Sequence, residues 1–417
     1  MNLSYYTWPV FIAIMLFPAF SLGLHNAGNI CFFLVLIFSL IAGISRYKPM
    51  QMRFAQLLRE YWQLHLAMAS LVIAVFLNQL ATGQFAVKYY DTALRIALFS
   101  PVLWIVLAIP LNYLKKMQWA FILGVVGALA KTYLITKGGS VRPLNIGFLA
   151  TIPFSGMALL FSAIVVVSIG WTEPRNKWVI GLKVFAGLLG VYVTVLTQTR
   201  GSWIAIPFFI IGIFISAKSV RLRHRLTILI FTLALIGVVA TFSTVVQTRF
   251  AEAKSDISLY VNKGNEDTSI GLRLQLWDAS LQLFKEHPIF GVGRANFDTG
   301  LEDLATRKLI SVETASYSHS HNEILFNMAI LGMFGLLGIL SIYFVPAYYF
   351  ARELNHPDRE LRTSAGMGLT VCLGFLILGL TDMMFFWNVT GGIYSMSVAT
   401  FFACVIKRKK ELERIAS

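Results

Sequence analysis

Long apolar runs separated by short polar connections dominate this chain. A helix needs about 20 apolar residues to cross a bilayer. Runs of that kind lie near 8–25, 29–45, 62–82, 94–113, 117–136, 148–170, 178–198, 202–217, 226–246, 322–350, 365–386 and 388–406. The pattern predicts an all-α polytopic membrane protein of about twelve transmembrane helices. One stretch, about 247–321, breaks the rhythm, being too mixed in polarity to cross. The expected organisation is 1–246 with nine crossings, a 247–321 loop domain, and 322–417 with three crossings and a basic tail.

Composition sharpens this picture. The 417 residues are 57% hydrophobic and 13% charged, whereas about a quarter of a soluble domain is charged. The formal charge of +15 does not point to nucleic acid, because of where it sits. Alternate connections hold Arg46, Lys48, Arg53 and Arg59; Lys115 and Lys116; Arg175 and Lys177; Lys218, Arg221, Arg223 and Arg225; Arg352, Arg359 and Arg362; then Lys407, Arg408, Lys409, Lys410 and Arg414. That alternation marks the cytoplasmic side and puts both termini there. Met1 to Val10 carries no Lys or Arg and no small-residue cleavage site follows, so the first crossing is expected to be retained. Cys31, Cys372 and Cys404 each sit in an apolar run and read as small buried hydrophobes.

The opposite side is nearly bare of charge in its short turns, except for Lys88, Arg95, Lys137, Arg142 and Arg200. Cations that break the bias need a local reason. The 247–321 loop lies on this outer side, and a connection of that length is more often functional than idle. Within it Ile270, Leu274, Trp277, Leu281 and Phe284 recur at helical spacing and predict an amphipathic helix. His287-Pro288 ends it. The helix is expected to lie on the membrane surface or over a cavity, and the Gly291-Val292-Gly293 turn follows.

Three features of this outer side carry candidate chemistry. Arg200, after Thr197-Gln198-Thr199, lies between two crossings, where a lipid-facing charge costs roughly 2.5–3.5 kcal/mol. An anion or a carboxylate would explain it. Arg273 sits in the first turn of the predicted loop helix, where the backbone dipole already favours negative charge, so it too suits an external anion. His319 and His321 stand at the edge of a hydrophobic run; two histidines lack the further ligands of a zinc site, and an imidazole accepts a proton at neutral pH. His321 is the expected general base. Asp382, the sole acid of the last two crossings, needs a partner, with Arg200, Arg273 or His321 the candidates. Glu323 is expected to orient a histidine or to cap the helix that begins there.

The Thr197-Gln198-Thr199-Arg200 turn, the segment from Arg273 to Gly293, and Ser320-His321-Asn322-Glu323 before Leu331-Gly332-Met333-Phe334-Gly335 together resemble the O-antigen ligase/polymerase superfamily. The likeness covers roughly 190–390, and the wording is similar to its ligase branch. That resemblance implies a glycosyltransferase of the bacterial inner membrane. Its members move O-antigen from undecaprenyl diphosphate to a hydroxyl of the lipid A–core oligosaccharide at the periplasmic face. Arg200 and Arg273 would then hold the diphosphate and His321 would be the essential histidine, with Asp382 matching an acidic position of the branch.

The residues support compatible chemistry. A diphosphate leaving group needs charge neutralisation, which guanidinium forks supply. Lys137 and Arg142 are secondary candidates, and His319 is a further substrate-binding candidate. A single inverting displacement needs one base, which His321 provides. Glu266-Asp267 and Glu302-Asp303 read as solvated surface, so no metal and no cofactor are expected. Two alternatives remain, a polymerase that extends lipid-linked repeat units and a flippase, although a flippase should spread its charges along a path through the bilayer.

Overall fold

The computed structural model describes residues 7–172, 176–216, 243–262 and 264–416, with isolated positions between 217 and 242. The expected crossing near 226–246 lies mostly outside the described residues, as do Arg175, Lys218, Arg221 and Arg225. Eight described helices are long and apolar enough to span a bilayer: Ala27–Ile44, Trp62–Thr82, Leu111–Ile135, Thr151–Trp171, Lys177–Leu196, Glu323–Ala351, Arg359–Gly379 and Asn388–Ile415. Two further expected crossings form shorter apolar helices, Thr7–Phe20 and Arg200–Ile215. Apart from a hairpin pairing Asn145–Ile146 with Leu149–Ala150, the described elements are helical. The chain is an all-α polytopic membrane protein.

Among the described residues the count of twelve is not reproduced. The run near 94–113 divides into helices Asp91–Ala97, Phe99–Val106 and Leu111–Leu114. Pro101 sits in the first turn of the second and Pro110 immediately precedes the third; neither can donate to a preceding turn, so a continuous helix is interrupted. The run near 365–386 forms a helix that ends at Gly379, which leaves Asp382 in the turn beyond it.

Thr151–Trp171, Arg359–Gly379 and Asn388–Ile415 are buried on nearly all sides, whereas Ala27–Ile44 and Lys177–Leu196 keep most of their apolar surface outside. Small residues let outer helices approach the central ones, as between membrane helices generally. A Cβ on Gly190 would lie 1.9 Å from Ser162 Oγ, which donates to Ala186 O at 3.1 Å. Lys115 with Glu360, Arg408 with Asp358 at 2.8 Å and Lys409 with Glu353 at 2.7 Å gather at the end of the bundle away from His321 and Asp382.

The loop folds against the other end as helices Thr244–Val261, Ser269–Glu286, Phe297–Thr306 and Val312–Ala315. Thr268 caps the second by accepting from Gly271 N. Its buried face is Leu272, Leu276, Ala279 and Leu283, not the predicted stripe, whose Leu274, Trp277 and Phe284 stay half-buried. The helix is apolar on two faces, and Leu283 packs on Gly300 of the next loop helix, which covers one of them. After His287 the turn docks on the membrane helix Glu323–Ala351: Val292 N donates to Ala329 O, Gly293 N to Ile330 O and Met333 N to Pro288 O, at 3.0, 2.9 and 2.8 Å. That helix is broken at Gly332 (φ 63°, ψ −148°). A Cβ on Gly291 or Gly332 would meet backbone at 2.4 Å, and both have positive φ, so only glycine fits this contact.

Candidate active site

Asp382 occupies the turn between Arg359–Gly379 and Asn388–Ala416 and is almost fully buried. Its Oδ1 lies 3.1 Å from His321 Nδ1 and accepts from Met383 N at 2.8 Å. Of the three partners open to Asp382 from the sequence, the imidazole is the one that bonds it. Burial pushes the carboxyl pKa up, but the hydrogen bond and charge of His321, and the charge of His319, hold it below its ordinary value. An ionised carboxylate only accepts, so His321 Nδ1 carries the hydrogen and Nε2 presents a lone pair.

His321 is held at φ 50°, an uncommon conformation for a side-chain-bearing residue. Its backbone N–H donates to His319 Nδ1 at 3.4 Å, and the two rings lie 4.3 Å apart. Burial, then the His321 charge, lower the His319 pKa to about 4. His319 is therefore neutral near pH 7, with its hydrogen on Nε2. Asn322, not Glu323, caps the following helix, accepting from Ile324 N and Leu325 N. Buried Glu323 instead accepts from Phe385 N at 2.8 Å and from Asn327, anchoring the turn that carries Asp382.

The arginines approach from the loop side. Arg200 begins a helix at the turn where Thr199 Oγ1 meets Ser155 Oγ at 2.8 Å and Thr197 Oγ1 at 3.1 Å, and Ser155 Oγ meets Ser202 Oγ at 2.6 Å. Thr381 Oγ1 donates to Gly201 O at 3.4 Å, which brings this turn beside Asp382. Arg200 pairs with Asp256 of helix Thr244–Val261 at 3.2 Å. Arg273 makes no hydrogen bond or ion pair among the described residues. Burial lowers its pKa; nearby Asp382 opposes that shift and Arg200 adds to it. The Arg142 pKa is lowered by partial burial of its guanidinium, then by repulsion from Arg249 and Arg200.

Arg249 belongs to this cluster although sequence reasoning passed over it. It is buried, its Nη2 donates to Gln198 Oε1 at 3.1 Å, and its carbonyl accepts from Arg200 at 3.4 Å. Its signal was available as one more cation at an outer membrane boundary. Lys137 is exposed, in a turn whose Gly139 O accepts from Gln198, and its side chain makes no bond or ion pair among the described residues.

A family model for the O-antigen ligase matches residues 185–340. Over this segment the chain is similar to the O-antigen ligase family. The chain is 25% identical over 229 residues to a protein of Escherichia coli (strain K12) named O-antigen ligase, covering 54% of this chain and 51% of that protein. It is 27% identical over 218 residues to an uncharacterised protein of Haemophilus influenzae (strain Rd), covering 52% and 54%. The chain thus spans about half the length of the curated relatives it matches. The matched segment contains Arg200, Arg249, Arg273, His319 and His321, while Asp382 and Arg142 lie outside it.

What this site can do follows from its groups. It presents one oriented imidazole acceptor, one neutral imidazole donor and four neighbouring guanidiniums. His319, His321 and Asp382 also offer ligand atoms within 4.8 Å of one another, a set that could hold a metal ion.

Proposed function

We propose that the protein is an O-antigen ligase, moving O-antigen from undecaprenyl diphosphate to a hydroxyl of the lipid A–core oligosaccharide. The observation that carries this reading is the meeting of an oriented base and an under-neutralised arginine cluster at one end of the bundle. The name of the Escherichia coli relative supports it. Arg273, Arg200, Arg249 and Arg142 hold the diphosphate, and His321 Nε2 faces the acceptor hydroxyl. The hydroxyl oxygen bonds to the anomeric carbon as its proton passes to His321. The carbon–oxygen bond to the diphosphate breaks, and its electron pair leaves with the lipid diphosphate. A single displacement of this kind inverts the anomeric centre, and Asp382 acts as a positioning residue. His319 Nε2–H donates to a sugar oxygen.

The reaction runs without a metal in this reading: the Arg273 charge repels a cation, and His321 Nδ1 is already spent on Asp382. Activity lost to a chelator and restored by a divalent ion would overturn that point. The protein sits in the inner membrane with the 247–321 loop and this site in the periplasm and both termini in the cytoplasm, as the gathering of basic residues at the far end supports. Purified protein, lipid-linked polysaccharide and rough lipopolysaccharide provide the test. Transfer should fall at least about 10²-fold in His321→Ala. Full activity of that variant would refute the reading, and products lengthened on the lipid carrier would assign a polymerase instead.

A further inference from the structure

A cavity of about 450 Å³ opens at the same end of the molecule, between Trp62–Thr82, the 84–96 segment, the Gly293–Asp298 turn and the 383–388 turn. Its volume suits a small sugar segment. None of the four arginines of the diphosphate cluster lines it. It shares a wall with the histidines, since Phe386 lines it and lies 5.4 Å from the His319 ring.

Five charged side chains line this cavity, and their partners differ. Asp91 pairs with Arg95 at 2.9 Å and accepts from Asn388, Glu323 is bonded to Phe385 N and Asn327, and Asp298 reaches only Arg294. The two cations are held more loosely than Asp91 and Glu323. Lys88 makes no ion pair among the described residues and reaches only the Tyr89 ring, at 5.0 Å. Arg294 lies over the Phe326 and Phe386 rings at 5.0 and 5.4 Å, and its ion pair with Asp298 is long, at 3.8 Å. Lys88 is also one of the cations that run against the charge bias of short outer turns, and neither the arginine cluster nor the base accounts for it.

We propose that this cavity is a subsite for the acceptor and binds a phosphorylated sugar of its oligosaccharide, with Lys88 and Arg294 on the phosphate. Aromatic walls pack against the C–H faces of sugar rings, and a lysine offers a compact cation to phosphate oxygens. The shared Phe386 wall would then hold one part of the acceptor while its reacting hydroxyl extends past His319 to His321. This assignment rests on the ligase reading.

The test measures binding, so that it stands apart from transfer. In a His321→Ala background, affinity is measured for a delipidated core oligosaccharide carrying phosphate, for the same oligosaccharide after phosphatase treatment, and for undecaprenyl diphosphate. Lys88→Glu, at an exposed position, should weaken the phosphorylated probe about tenfold and the dephosphorylated probe less than twofold. Arg294→Gln should do the same, and Arg294→Lys should recover part of the loss, which a packing defect would not. Equal affinity of the parent for both oligosaccharides, or a loss that falls on the lipid diphosphate, overturns the subsite. A transfer-competent His321→Ala protein would overturn the ligase reading while leaving the binding comparison intact.

Discussion

Around Asp382 polar groups are matched one to one: its carboxylate takes His321 Nδ1 and Met383 N, and Glu323 and Asn322 fix the chain on either side. Around Arg273 they are not. Four guanidiniums share Asp256 and Glu252 as their ion-pair partners, and Arg273 has none among the described residues. A base works best when its hydrogen bond is set before the substrate arrives. An anion site works by the reverse arrangement, because repulsion among its cations is relieved when the anion binds.

Four experiments can break or sharpen that contrast. Replacing His321 by Ala should lower transfer about 10²–10⁴-fold with the fold retained, as read by gel filtration and an endpoint assay. Arg273→Ala should cost about 10²–10³-fold, and Arg273→Lys should restore little, since a point charge cannot replace the planar fork. Arg200→Ala should cost less than Arg273→Ala, because Asp256 already neutralises part of the Arg200 charge; equal losses would show that the ion pair is irrelevant to the anion site. Asp382→Asn should cost about 10²-fold by letting the imidazole adopt the wrong tautomer, with lipid-diphosphate affinity nearly unchanged.

The smallest effect concerns pH. Burial holds His319 neutral and takes its pKa from an ordinary 6.5 to about 4. A lowered histidine pKa contributes stability that is present above 6.5 and lost as pH falls toward 4. The melting temperature should drop over that window, and less so in His319→Gln. An identical slope in both proteins would place the titrating group elsewhere.

Much of this molecule was legible in the sequence, because membrane helices leave long apolar runs and the arginines and histidines violated expected polarity. Helix Ser269–Glu286 was foreseen, but its inward face was not: Leu272 and Leu276 interleave with Leu274, so spacing alone offered two stripes, and packing against the membrane helix Glu323–Ala351 and the loop helix carrying Gly300 chose between them. Asp382 had three eligible partners, and only the fold of the 380–387 turn could choose among them. Arg249 was hidden because its role depends on Gln198, 51 residues earlier. Lys137 was grouped with the arginines from the sequence; its turn does touch Gln198, which accepts from Arg249, but its own side chain is exposed.

The clasp of Gly291 into the break at Gly332 lies where no reacting atom sits, yet it fixes one end of a rod whose far end bears Arg273. Thirteen residues of the helix follow Arg273, about 20 Å at 1.5 Å per residue. A methyl group added at either glycine would therefore be felt as a misaimed guanidinium a helix-length away, while His321, held in its own turn by Asp382, kept its bearing.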